Sequence, residues 1–324
     1  MDWLSRLFEL IPIQGWVDLR CFYGAPWRIE QGPALTGEMP YHVVLAGSAI
    51  LELPTGQPPR RLMPGDILLL PQGDAHVLHD GSGDSPEPSR NRTRLNVVFS
   101  ENAGTGESLD LMCGHFAIGA PHQRLLQSYL PRLLVVQAGE HSASTAGPGT
   151  SAQLAGLVSL MRIESERDNL GGRAMLNALS TAMFTLTLRL ASEANEAPAG
   201  LLALAGHPRL AGALAALFHE PARPWSLPEL ARLCNMSRAT LARHFQKNLG
   251  RSASELLTDI RMTLAASELK NSSASTAAVA ETVGYQSEAA FQRVFKQRMG
   301  MTPARWRRTT GTSDPVDRLT AHAL

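Results

Sequence analysis

Between Ser226 and Arg308 the chain repeats itself at an offset of 50 residues, and no other feature narrows its fold so far. Leu233, Ser237, Leu241, Arg243, Phe245, Gly250 and Ser252 recur as Val283, Ser287, Phe291, Arg293, Phe295, Gly300 and Thr302. Each copy reads as a short apolar helix, a tight turn, a Ser-capped second helix and a terminating glycine. In the first copy Ser226 and Glu229 have capping-box spacing ahead of Leu227, Leu230 and Leu233, and Asn235-Met236 supplies the turn. In the second, Gly284-Tyr285 makes the turn and Ser287 the cap. Leu241, Phe245 and Leu249 form an inner face at helical spacing, as do Phe291 and Phe295. This is the pattern of two helix-turn-helix units, whose second helices enter the major groove of double-stranded DNA.

The outward residues follow from the inner face. They are Arg238, Ala239, Thr240, Ala242 and Arg243 in one copy, and Glu288, Ala289, Gln292 and Arg293 in the other. Arg243 and Arg293 suit base edges or phosphate, and Gln292 suits an adenine edge; Lys247, Lys296 and Arg298 suit phosphate. A helix over 254–269 joins the copies; at ~1.5 Å per residue it spans about 24 Å, against about 34 Å for one turn of DNA. Charge agrees with this division. Residues 200–310 hold 15 Lys/Arg against 7 Asp/Glu, leaving 15 against 22 elsewhere. Only the C-terminal part is therefore expected to meet a polyanion.

The motifs carry a resemblance as well. GYQSEAAFQRVFKQRMGMTPARWR (284–307) resembles the signature of the AraC/XylS transcription regulators, and MSRATLARHFQKNLG (236–250) their first helix-turn-helix. The resemblance implies one DNA-reading helix per copy, promoter DNA and RNA polymerase as partners, a regulatory domain ahead of them, and no enzymatic activity. Ala239 and Ala242 stand where members of that family often carry larger contact residues, which implies that the two helices read unequally.

The N-terminal half reads as β structure. Val17–Phe22, Tyr41–Ala46, Ser48–Leu53 and Ile67–Leu70 are short runs between Gly and Pro turns, and Leu109–Ile118 is a further strand. Residues 80–108, rich in Gly, Ser, Asp, Pro and Asn, read as a flexible insertion. HSASTAGPGTSA (141–152) reads as a linker, and Ser192–Pro198 as a second one. Between them Leu154, Leu157, Leu160 and Met161, then Met175, Leu179, Met183, Leu186 and Leu190, have helical spacing. These helices either pack on the barrel or pair in a homodimer. The N-terminal MDWLSRLFELI reads as an amphipathic helix rather than a secretory signal, and no apolar run has the length to cross a bilayer. A cytoplasmic protein without membrane contact is expected. The predicted fold class is α+β. A cupin-like sensor occupies 1–140, a linker and helical, dimerising region 141–198, an all-α double helix-turn-helix domain 199–310, and a disordered tail 311–324.

The cupin expectation rests on Gly65–His76, whose spacing G-x5-P-x-G-x2-H resembles the second cupin motif, in which the His is a metal ligand. The first motif, with its paired His and Glu, is absent. His42, His76 or His79, Cys113 and His115 could still converge, and His42, His76 and His115 with a cysteine would suit zinc, although none is required. Three cysteines, Cys21, Cys113 and Cys234, are too few for a secreted disulfide framework. Cys21 stands beside Arg20, a cation expected to favour its thiolate, while Cys234 falls in the core of the first helix-turn-helix. Together with YHVVLAG (41–47), residues 54–76 and MCGH (112–115), the surroundings of Cys21 resemble a cupin-type AraC subgroup that includes a sensor of reactive chlorine species. That resemblance implies an activator switched by oxidation of Cys21, with Cys113 as second cysteine. The alternative is a small organic ligand or a metal bound in the barrel.

Overall fold

The computed structural model describes residues 2–139, 148–194 and 196–308. The chain divides into two units, Leu7–Pro208 and Arg209 onward together with the first six residues. In chain order the elements begin with α1 (Trp3–Leu10), β1 (Ile13–Gly24), β2 (Arg28–Gln31), β3 (Glu38–Ala46), β4 (Ala49–Glu52), β5 (Arg60–Leu62) and β6 (Asp66–Leu69). There follow β7 (His76–His79), β8 (Arg90–Thr93), β9 (Val98–Glu101), β10 (Ser108–Ile118), α2 (Ala120–Tyr129), β11 (Leu134–Gln137), α3 (Pro148–Ser165), α4 (Gly172–Glu193) and α5 (Leu201–Gly206).

Side chains alternate across a strand, so each β run with apolar residues two apart can feed one core. A seven-stranded sheet has the order β11-β6-β3-β10-β1-β9-β8, and a four-stranded sheet the order β2-β7-β4-β5. All the pairings are antiparallel except β1 with β9. Val44, Leu68, Leu109 and Leu111 of the larger sheet meet Leu51, Leu62 and Leu78 of the smaller one around Cys21, Tyr23 and Trp27. This is the cupin-like, sheet-rich half of the predicted α+β fold.

The opposite face of the larger sheet is covered by α4. Phe116 packs on Phe184 with ring centroids 4.7 Å apart, and Ser180 Oγ donates to Tyr41 Oη at 3.0 Å. Gly15 allows this approach, because a Cβ there would stand 2.4 Å from Ser180 Oγ and 2.6 Å from the Thr181 backbone nitrogen. The helix is long and apolar enough to be a candidate membrane span by composition, yet Leu176, Met183, Phe184, Leu188 and Leu190 are buried in the fold. Leu160, Ile163 and Met175, by contrast, remain exposed on α3 and α4.

Three expectations change here. The 80–108 insertion contains the hairpin β8–β9, and β9 joins β1 edge to edge. The hairpin's turn is anchored by the buried Asn96, whose Nδ2 donates to Arg167 O at 3.0 Å and Asn169 O at 3.1 Å while its Oδ1 accepts from Arg173 N. Local composition cannot reveal an anchor supplied 70 residues later. Of the 141–152 linker, Pro148 onward already belongs to α3. Proline needs no hydrogen-bond partner in a first helical turn, and Ser151 Oγ ties that turn to Gly139 O at 2.7 Å. Residues 141–147 and the predicted tail lie outside the described residues, while β11, Leu134–Gln137, is a strand that composition did not suggest.

The second unit contains α6 (Ala211–His219), α7 (Leu227–Leu233), α8 (Arg238–Leu249), α9 (Ala253–Asn271), α10 (Thr276–Thr282), α11 (Glu288–Met299) and α12 (Pro303–Arg308). Ser226 and Glu229 form the expected capping box on α7, and Ser252 with Glu255 forms another on α9. Ser237 and Ser287 cap α8 and α11 by accepting from Thr240 N and Ala290 N. The two copies differ by one residue in the turn. Met236 N bonds Ala231 O as Tyr285 N bonds Ala280 O, an offset of 49, whereas the caps of α8 and α11 stand 50 apart. Gly284, at φ +86°, opens the longer second turn; Asn235, at φ +49°, opens the first. The buried counterpart of Val283 is therefore Cys234, and Leu233 is half exposed.

Candidate DNA-binding face and thiol site

The second helix of each copy presents the same surface. Leu241 and Phe245 of α8 are buried, as are Phe291 and Phe295 of α11. Arg238, Ala239, Arg243 and Lys247 are exposed on α8, with Thr240 half-buried, and Glu288, Gln292, Arg293 and Lys296 are exposed on α11. The copies are chemically unequal at their N-terminal ends. On α11 Gln292 Nε2 donates to Glu288 Oε1 at 2.9 Å, which orients the amide, while the same positions of α8 hold Ala242 and Arg238. Arg298, expected at phosphate, is half-buried. Its guanidinium pairs with Asp259 of α9 at 3.2 Å, and Arg251 pairs with the same carboxylate at 3.1 Å.

In the barrel, strand register assembles a polar thread through a leucine-lined interior. Cys21 lies opposite Leu111, and Leu19 opposite Cys113, so the two cysteines are diagonal neighbours on one face of β1 and β10. Their thiols interact with each other, and Cys21 also interacts with the Tyr23 hydroxyl. Tyr23 Oη in turn meets Ser100 Oγ at 2.7 Å. On the other side Cys113 Sγ lies 3.0 Å from His42 Nδ1, His42 Nε2 lies 2.7 Å from His76 Nε2, and His76 Nδ1 donates to Asp74 O at 3.0 Å.

Within the thiol pair Cys21 is the acidic member. Its interaction with the Cys113 thiol pulls it below the ordinary thiol range against the opposing effect of burial. The same interaction, with burial, pushes Cys113 well up. Burial pushes Tyr23 up to about 12, and His42 and His76 both fall below the usual imidazole value because burial disfavours their charge. The expected acidifier, Arg20, acts elsewhere. As Cys21's neighbour on a strand it points to the opposite face, where it bonds Asp110 Oδ1 and Oδ2 at 3.0 and 2.8 Å, Ser165 Oγ at 2.7 Å, Arg162 O at 3.1 Å and Glu166 Oε1 at 3.0 Å. Arg20 therefore ties the strand of Cys21 to the end of α3.

Of the predicted zinc set, His42, His76 and Cys113 meet, while His115 and His79 do not join them. His115 Nδ1 bonds Asp18 Oδ2 at 2.6 Å, and His79 Nε2 pairs with Glu52 at 3.4 Å. His42 uses both ring nitrogens in hydrogen bonds, one of them to His76 itself. Among the described residues no group of three or more His, Cys, Asp or Glu is placed to hold a metal. Cys234 is buried between helices and raised by that burial, consistent with packing.

Comparison with known proteins resolves what the two halves form together. A cupin family profile matches residues 2–193 and a helix-turn-helix domain profile matches 230–309. The chain is 30% identical over 316 residues to the HTH-type transcriptional regulator MtrA of Neisseria gonorrhoeae, covering 96% of this chain and 99% of that protein. It belongs to the AraC family of transcription regulators. This AraC-family regulator is also 29% identical over 307 residues to the RCS-specific HTH-type transcriptional activator RclR of Escherichia coli (strain K12), covering 95% and 97% of the two chains. Its similarity to a Haemophilus influenzae HTH-type regulator is 29% over 310 residues, covering 95% and 99%. Among solved structures, ToxT from Vibrio cholerae aligns over 94% of this chain and 100% of its own at 14% identity, with a TM-score of 0.37. The protein is a DNA-binding transcription regulator with a cupin domain. The thiol thread that strand register creates lies in its cupin half.

Proposed function

We propose that this regulator is a cytoplasmic transcription activator switched by oxidation of Cys21, with hypochlorous acid as the oxidant. The observation that carries the reading is the diagonal placement of Cys21 and Cys113 on the paired strands β1 and β10 inside the barrel, both thiols free and Cys21 the more acidic. A thiolate is the form that oxidants attack, and a neighbouring thiol converts the resulting sulfenic acid to a disulfide. The similarity to an RCS-specific activator supports the choice of oxidant. In this reading, oxidation displaces β1, Arg20 passes that displacement to α3, and α8 and α11 engage promoter DNA so as to recruit RNA polymerase. A second copy docks on the outer face of α3 and α4 around the exposed Leu160, Ile163 and Met175.

The test is run-off transcription from a selected operator with purified polymerase. Hypochlorite is expected to raise output from the wild type and leave Cys21→Ala unresponsive. Induction of Cys21→Ala to the wild-type level would sink the proposal. Sedimentation of Ile163→Glu beside the wild type checks the dimer, and equal masses would remove it.

A further inference from the structure

We propose that His42 is the base that takes the Cys113 proton as Cys113 closes a disulfide onto oxidised Cys21, with His76 and the Asp74 carbonyl holding His42 in the required tautomer. The inference rests on the oxidation of Cys21 proposed above and names the group that completes it.

The direction of every bond in the thread follows from its far end. A carbonyl only accepts, so His76 Nδ1 carries a proton and donates it to Asp74 O. Neutral His76 then has a bare Nε2, and His42 Nε2, 2.7 Å away, must be the donor. That leaves His42 Nδ1 with a lone pair, 3.0 Å from Cys113 Sγ, and the Cys113 S–H donates to it. The Cys113 proton is thus held on the histidine side, and its sulfur lone pairs are free toward Cys21. His42 and His76 are 1% and 2% exposed, so bulk water does not serve in their place. Burial keeps both rings neutral at rest, which is the form a base needs.

The chemistry balances with hypochlorous acid as the only co-reactant. Cys21–SH and HOCl give Cys21–SOH and HCl. The Cys113 sulfur then attacks the Cys21 sulfur, the S–S bond forms and the S–O bond breaks. The Cys113 proton passes through His42 Nδ1 to the departing hydroxide, which leaves as water. Two thiols are oxidised to a disulfide, chlorine is reduced to chloride, and His42 returns to its neutral form. No charge is left behind among the leucines. Without His42 the high-lying Cys113 thiol would have to ionise unaided.

The test uses the full chain treated with hypochlorite and quenched over time, with mass spectrometry measuring dimedone-trapped Cys21 sulfenic acid and the Cys21–Cys113 disulfide. The wild type is expected to pass to disulfide without accumulating sulfenic acid, at a rate nearly constant between about pH 6.5 and 8. In His42→Gln the sulfenic acid should accumulate and the disulfide form about 100-fold more slowly, a typical loss for a missing general base, with a rate that rises roughly tenfold per pH unit. Disulfide closure by His42→Gln at the wild-type rate would overturn the role of His42. Should that variant fail to fold, the wild-type profile decides alone, since a tenfold rise per pH unit there is equally fatal. If Cys21 gives neither product, the oxidative switch itself fails and the inference with it.

Discussion

Arg20→Met removes the cation that joins the strand of Cys21 to α3. Arg20 is fully buried and makes five hydrogen bonds, two of them to the buried Asp110. Deleting one partner of a buried pair strands the other, at a cost of about 3–5 kcal/mol. Glu166, half exposed, regains water and adds little. Arg162, whose Nη2 lies 3.6 Å from Asp110, can move closer and places the expectation near the lower end, about 3 kcal/mol. At ~1.4 kcal/mol per tenfold change, local opening of β1 and β10 should rise about 100-fold. Hydrogen exchange with peptide-level mass resolution reads that directly. The double variant Arg20→Met/Asp110→Leu removes both charges and should recover most of the loss. A single-variant cost below about 1 kcal/mol, or a double variant less protected than the single one, would refute the assignment of Arg20 as a buried clamp.

Three further outcomes follow from the same geometry. His42 and His76 stay neutral when folded but take up protons when unfolded, near pH 6.5, so the unfolded chain binds more protons in acid and stability falls as pH drops. Urea denaturation of the Leu7–Pro208 unit should lose about 1–2.5 kcal/mol between pH 7 and 5.5, and His42→Gln should flatten that slope. Arg243→Ala or Arg293→Ala should weaken operator binding by about 1–3 kcal/mol and relax sequence preference, whereas Lys247→Ala or Lys296→Ala should lower the salt slope by about 1; salt-titrated binding isotherms separate the two classes. Gly15→Ala forces a methyl against Ser180 and the backbone of α4 and should cost about 1–3 kcal/mol, visible as a lowered Tm.

What the sequence displays well is what repeats locally. Ser237 and Ser287, Phe245 and Phe295, and Gly250 and Gly300 are each read from spacing and caps within a dozen residues. The one-residue difference between the two turns escapes that reading, because Leu233 aligns with Val283 in sequence while Cys234 takes its place in the core. The thiol site is harder still. Cys21, His42, His76 and Cys113 lie on four strands of two sheets, and the register of β1, β10 and β3 together with the facing of the sheets gathers them. One signal was present: strict alternation on β1 sends Arg20 and Cys21 to opposite faces, which argues against the arginine as the thiol's acidifier. His115 shows the converse, since adjacency to Cys113 suggested a shared metal while Asp18, 97 residues away, takes its ring. Asn96 likewise turns a segment of loop-like composition into an anchored hairpin through partners far along the chain.

The most direct measurement pairs redox state with output in one sample. Protein is titrated with hypochlorite, then reduced with dithiothreitol. At each step mass spectrometry gives the fraction of Cys21 oxidised while transcription from the selected operator is recorded. The account predicts that output rises in proportion to oxidised Cys21, returns on reduction, and stays at its basal level in Cys21→Ala throughout. Output that rises while Cys21 remains a thiol, or that is unchanged when Cys21 is fully oxidised, would contradict it.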